Sequence, residues 1–98
     1  MVDAPASFPL PDASDKDVVV YLTPWCPYCN MARRLLDSRG IPFDAHDVSG
    51  NNEARGWLRT NTGQHTVPQI FIKGQSIGGF TELAELDSQG QLQQMLAS

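Results

Sequence analysis

Val18-Val19-Val20-Tyr21-Leu22 is an apolar run without polar alternation. A β-branched run of this kind suits a strand buried on both faces, since a half-buried strand alternates apolar and polar side chains. It stops at Thr23-Pro24, and such a strand needs cover above and below. The chain that follows supplies helices. From Pro27 to about Arg39 the pattern is helical, with Met31, Leu35 and Leu36 on one face, Arg33, Arg34 and Asp37 elsewhere, and Gly40 as a natural stop. Pro42 to Val48 reads as a weaker second strand, with Phe43, Ala45 and Asp47 alternating against Asp44 and His46. Ser49 or Asn51 then caps a helix running to about Thr62, with Trp57 and Leu58 as its buried pair and Gly63 at its end.

A third strand is expected at Val67–Ile72 and a short fourth at Ser76-Ile77, joined by the turn Lys73-Gly74-Gln75 as a hairpin. Gly78-Gly79 breaks the chain. Thr81 starts a short helix carrying Leu83, Ala84 and Leu86, and Leu92, Met95 and Leu96 mark a last one. The first two strands flank a helix, so they are expected to be parallel with a right-handed crossover. The fold class is α/β, one four-stranded mixed sheet with helices on both faces. With 98 residues there is room for one domain and one modest core.

Residues 1–16 contain Pro5, Pro9 and Pro11 among Ala, Ser and Asp, and are expected to form a flexible acidic extension, with 17–98 as the domain. Phe8 or Leu10 docking onto the domain is the less favoured alternative. Asp3, Asp12, Asp15 and Asp17 against Lys16 leave the first 17 residues three charges negative, so only one of the net −4 belongs to the remainder. A near-neutral domain without a basic cluster argues against nucleic acid as a partner. No apolar run reaches the roughly 18 residues a membrane span needs, and Met1–Ser7 lacks the basic and apolar regions of a secretory signal. The expectation is a cytoplasmic monomer that meets no membrane.

The chain has two cysteines, Cys26 and Cys29. A bridge closing so short a loop restrains the unfolded chain little, which makes it poor structural glue. Cys26 falls just before or at a helix start, where unpaired N–H groups and the macrodipole favour negative charge on the sulfur, and the thiolate is the nucleophile. Pro27 at the first helical position loses only an N–H that would be unbonded anyway. Cys29 lies one turn on, so Cys26 should be the exposed sulfur and Cys29 the buried one that points back toward it. A zinc half-site and a purely structural pair are the alternatives. Zinc needs further ligands, and the two histidines, His46 and His65, lack finger spacing, so no metal site is expected. A C-x-x-C between strand and helix in a βαβ unit points to thioredoxin-like redox chemistry.

Cys26-Pro27-Tyr28-Cys29, followed by Thr66-Val67-Pro68 and Gly78-Gly79, resembles the dithiol glutaredoxins of the thioredoxin-fold superfamily across residues 17–97. Thioredoxin itself is a poorer match, because there the proline precedes the second cysteine and no Gly-Gly follows the hairpin. The resemblance implies catalytic Cys26 and Cys29, no tightly bound cofactor, and glutathione as co-substrate. Pro68 would be a cis-proline facing the active site, setting the Val67 backbone to pair with a peptide-like ligand; only an X-Pro bond tolerates cis at modest cost. Gly78-Gly79 would admit a ligand close to the backbone. Thr81 and Glu82 would hold the γ-glutamyl end of glutathione at a helix start, which suits a carboxylate. The implied glutathione-contacting set is Tyr28, Arg55, Thr66, Val67, Pro68, Gly79, Thr81 and Glu82, with Trp25 and Tyr28 as opposite walls of the groove.

Several positions depart from the family pattern. Thr23 stands where many relatives carry a lysine that meets the glycine carboxylate of glutathione, and Gln64-His65 stand where an arginine is frequent. Arg55 falls at a position used for that same carboxylate and is the candidate replacement. One lost charge-assisted contact costs about 1.5–3 kcal/mol, which would weaken glutathione binding and leave the fold alone. Phe80 replaces a frequent cysteine and Glu82 a frequent aspartate.

The expected reaction has two branches. The Cys26 thiolate attacks a glutathione mixed disulfide and a second glutathione regenerates it, or it attacks a protein disulfide and Cys29 resolves the product. Two rivals remain. One is a dimer holding an iron–sulfur cluster through Cys26 and glutathione, although relatives that do so usually lack a proline at the position of Pro27. The other is a redoxin reduced by thioredoxin reductase.

Overall fold

In the computed structural model, residues 10–11 and 14–97 are described. Strand β1 (Val18–Leu22) leads into helix α1 (Pro27–Ser38), then β2 (Phe43–Asp47), α2 (Asn52–Thr62), β3 (Gln69–Ile72), β4 (Gln75–Gly78), α3 (Phe80–Ser88) and α4 (Gln91–Ala97). The sheet order is β2-β1-β3-β4, with β1 and β2 parallel and the other two pairs antiparallel. This is the four-stranded mixed sheet the sequence called for. Every residue of β1 is buried, because the strand lies inside the sheet and has helices over both faces.

Alternation along β1 divides the core in two. Val18, Val20 and Leu22 pack with Ala32 and Leu36 of α1, Leu83 of α3 and Leu92 of α4; Cys29 belongs to this cluster. Val19 and Tyr21 face the other way, onto Val48, Phe71, and Ala54 and Leu58 of α2. The Tyr21 ring meets Phe71 edge-on at 5.7 Å between centroids. Arg39, past the end of α1, reaches α3 with a two-pronged contact to Asp87, at 2.9 and 2.8 Å. The paired charge holds the Asp87 carboxyl below the usual carboxylate range.

Several expectations shift by local detail. Ala54, not Trp57, is the buried partner of Leu58; the indole is half-buried against Phe71. Asn51 caps α2 by accepting the Ala54 N–H at 3.0 Å, and Gly63 ends it in a left-handed conformation. In β2, Phe43 packs on the α1 side and His46 beside Tyr21, while Ala45 is exposed because this strand lies at the sheet edge. β3 starts at Gln69, two residues later than expected, and β4 one residue earlier. A bulge at Ile77 then shifts the pairing, with Phe71 opposite Ser76 and Ile70 opposite Gly78. α3 begins at Phe80 with Gly79 as its cap, so Thr81 is its second residue and not the start.

The stretch placed in the extension is partly tied down. Pro11 is buried, Leu10 and Pro11 border Trp57 and Phe71, the Ser14 hydroxyl donates to Asp44, and Lys16 pairs with Asp44 at 3.6 Å. A proline ring and short polar side chains find partners on β2 and α2 that a reading of composition does not reveal. Phe8 lies outside the described residues. No helix among the described residues is long and apolar enough to cross a membrane.

Candidate active site

The link between β1 and α1 delivers Cys26 as the N-cap of α1, with extended backbone and Pro27 as the first helical residue. A cap's side chain accepts a hydrogen bond from a free N–H of the first turn. Here the acceptor is sulfur: the Cys29 N–H donates to Cys26 Sγ at 3.2 Å. The Cys26 thiol in turn donates to the Val67 carbonyl at 3.6 Å. Cys26 is half-buried, whereas Cys29 is 0% exposed. Burial, reinforced by the hydrogen bond with Cys26, pushes the Cys29 thiol up to about 12. Helical geometry thus makes the two sulfurs unequal: one faces the surface with a donor trained on it, the other stays protonated beneath.

Beside Cys26 the Val67–Pro68 peptide is cis. Tyr28, Gln64, Thr66, Val67, Pro68, Gly79, Phe80, Thr81 and Glu82 line a groove of about 370 Å³. Seven of the eight residues expected to contact glutathione are therefore together. The eighth, Arg55, is not: it lines a neighbouring cavity and its Nη2 donates to the His65 carbonyl at 3.4 Å. The helical register of α2 and the intervening residue His65 place it there. Trp25 is also no wall of the groove; it stands 73% exposed. Thr23 is buried at the end of β1, so its short side chain presents no charge to solvent.

Gly78 and Gly79 allow close approach, and the closest atoms are the protein's own. Gly78 has φ +107°, and a Cβ there would lie 2.9 Å from the Glu82 side chain. A Cβ on Gly79 would lie 3.2 Å from the Pro68 carbonyl. Glu82 Oε1 accepts the Gly79 N–H at 2.8 Å, so one oxygen of the side chain expected to hold the γ-glutamyl end of glutathione caps its own helix. The leading N–H groups of α3, including that of Thr81, have no carbonyl one turn back and border the groove.

Two lining residues escaped the sequence reading. Phe80 stacks on Tyr28 with centroids 6.3 Å apart, and the signal was an aromatic residue beside Gly-Gly. Gln64 contributes the near wall, and Gln69 fixes it. Only 2% exposed, Gln69 donates to the Gln64 carbonyl at 2.7 Å and accepts from the Thr62 hydroxyl at 2.8 Å. A lone polar residue in a strand otherwise made of Ile-Phe-Ile was the available sign. Among the described residues no group of three or more His, Cys, Asp or Glu is placed to hold a metal ion.

A family model described as Glutaredoxin matches residues 18–77. Glutaredoxin 3 of Escherichia coli (strain K12) is 41% identical over 80 residues, which cover 82% of this chain and 96% of that protein. Among solved structures, the holo form of glutaredoxin C1 from Populus tremula x tremuloides has a TM-score of 0.79 at 30% identity, covering 86% of each chain. The buckwheat glutaredoxin–glutathione complex has a TM-score of 0.78 at 30% identity, covering 84% of this chain and 77% of that one. With the matched region spanning the cysteine pair, the cis-proline and most of the sheet, this chain belongs to the glutaredoxin family and is a thiol–disulfide oxidoreductase.

Proposed function

We propose that the enzyme uses glutathione to reduce glutathione mixed disulfides and protein disulfides, with Cys26 as nucleophile and Cys29 as resolver. The observation that carries this division is the asymmetry of the pair: Cys26 half-exposed at the helix cap, Cys29 buried with its thiol pushed up to about 12. In the first branch the Cys26 thiolate attacks the glutathione sulfur of a mixed disulfide. That S–S bond breaks, a Cys26–glutathione bond forms, and the departing thiolate takes a proton from solvent. A second glutathione thiolate attacks its bound counterpart, releasing oxidised glutathione and restoring Cys26.

In the second branch Cys26 attacks a protein disulfide, leaving a mixed disulfide with one protein sulfur. Cys29 attacks Cys26 Sγ, its proton passing to the departing protein sulfur, and the Cys26–protein S–S bond breaks as the Cys26–Cys29 bridge forms. Two glutathione molecules then reduce the bridge and leave as oxidised glutathione. The groove supports glutathione as the ligand: it offers the Val67 backbone beside Cys26 and the first turn of α3, at Phe80 and Thr81, for a carboxylate. A glutaredoxin of this fold is known in complex with glutathione.

Cysteine variants test the division of labour. Cys26→Ser should abolish turnover of both substrate types. Cys29→Ser should keep activity on a glutathione mixed disulfide and lose multiple turnover on a protein disulfide. Loss of both activities in Cys29→Ser would sink the one-cysteine branch. Turnover supported by thioredoxin reductase and not by glutathione would sink the glutathione reading.

A further inference from the structure

A second cavity, of about 340 Å³, adjoins the groove and is lined by Asn52, Arg55, Gly56, Arg59 and His65. The two share a wall: Gln64 and Thr66 border the groove, while His65 between them borders the cavity. Arg55 and Arg59 stand one helical turn apart on α2, on the same side. Like charges at that spacing repel, and neither arginine pairs with a carboxylate among the described residues. Lys16 and Arg39, by contrast, each have an acidic partner. Two unneutralised guanidinium groups around a concave surface suit a carboxylate, which they bind through planar, charge-assisted hydrogen bonds.

Carboxylates can reach this cavity from glutathione or from a protein substrate. Arg55, hydrogen-bonded to the His65 carbonyl, borders the shared wall. Arg59 extends the positive surface a further turn along α2, beyond what one carboxylate at Arg55 requires. When a protein disulfide is attacked, no glutathione fills the groove. Residues 64–66 lie between the Val67 backbone and the arginine cavity, which gives an extended peptide paired to Val67 a path to the arginines. We propose that this cavity receives an aspartate or glutamate side chain of a protein substrate, a few residues from the cysteine attacked by Cys26. The enzyme therefore favours disulfides with acidic flanks. This rests on the reading that Cys26 attacks substrate held in the groove.

The test uses disulfide peptides matched except for glutamate or glutamine beside the reactive cysteine. The full chain is assayed at low and high salt, both in turnover and in single turnover from the chemically reduced enzyme. For the unaltered protein, KM for the glutamate peptide should be several-fold lower, and the advantage should shrink with salt. Arg59→Ala should remove the preference, Arg59→Lys should retain part of it, and Arg59→Glu should reverse it. KM for glutathione and activity on a small glutathione mixed disulfide should not change. Equal KM for the two peptides in the unaltered protein overturns the proposal, as does an equal effect of Arg59→Ala on both. A rise only in KM for glutathione assigns the cavity to that ligand's carboxylate and also overturns it. If glutathione fails as reductant, single turnover still reads the peptide preference, which separates this failure from that of the broader function.

Discussion

The two faces of the sheet are built to different thickness. On one, Val18, Val20, Leu22, Ile70 and Ile72 lie under α1, α3 and α4, and the buried Cys29 is part of that layer. On the other, Val19, Tyr21 and Phe71 are covered by Val48 and by Ala54 and Leu58 of α2. This thinner face leaves Trp57 half-buried and His46 Nε2 buried without a hydrogen-bond partner among the described residues. The thick layer holds the sulfur chemistry; the thin one holds α2, and through it residues 64–66 of the groove wall. The groove thus draws Tyr28 and Phe80–Glu82 from helices of the thick layer and residues 64–66 from the thin side, so that one wall can vary at less cost to the placement of the nucleophile.

Paired truncations probe this contrast most strongly. Leu36→Ala should cost about 2–5 kcal/mol of unfolding free energy, since surrounding helices restrict collapse of the cavity. Leu58→Ala should fall at the low end of that range, about 2 kcal/mol, because α2, which carries Leu58 and alone covers that face, can settle inward. Denaturant titration measures both, and equal losses would remove the distinction between the faces.

Gln69→Leu should cost about 1–3 kcal/mol, because it takes the amide donor from the Gln64 carbonyl, while the Thr62 hydroxyl keeps the Leu58 carbonyl as acceptor. It should also raise KM for glutathione while leaving single-turnover attack by a saturating mixed disulfide little altered. An unchanged KM would show that the wall holds its place without this link.

Asp87→Asn should have the smallest effect, a lowering of Tm by a few degrees at most. The Asp87 carboxylate is 8% exposed and paired with Arg39, and its folded-state pKa is depressed. A depressed carboxylate contributes stability above its unfolded value of about 3.9, and this is lost as pH falls through the folded value. The gap between wild type and Asp87→Asn in thermal melts should therefore be full near neutrality and close in acid. A gap that persisted at pH 2 would assign the difference to packing.

What could be read in the sequence followed from local physics. Unbroken apolarity marked β1 as buried on both faces, Pro27 and Gly40 bracketed α1, and helical spacing anticipated which cysteine would be covered. What could not be read depended on partners distant in sequence or on competition within a turn. Glu82 had two possible uses, and the Gly79 N–H, three residues away, takes one of its oxygens. Arg55 sits on a well-anticipated helix, yet its side of the groove depends on how the chain returns through His65. Gln69 gave no sign in the third strand of the partners it finds in Thr62 and Gln64, which lie in the preceding helix and loop.

The bond from the Cys26 thiol to the Val67 carbonyl has a consequence for how the protein's oxidation state can be followed. That bond needs a hydrogen on sulfur, and a disulfide sulfur has none. The carbonyl therefore loses this donor when the Cys26 thiol is oxidised, as it does when the thiol ionises, and isotope-edited infrared or carbon-13 observation of this one peptide group at a pH that keeps the thiol protonated should register oxidation. A Val67 carbonyl signal identical in the reduced and mixed-disulfide forms would show that the bond does not persist in solution. Where it does persist, the backbone itself carries a readable record of whether the Cys26 sulfur still holds its hydrogen.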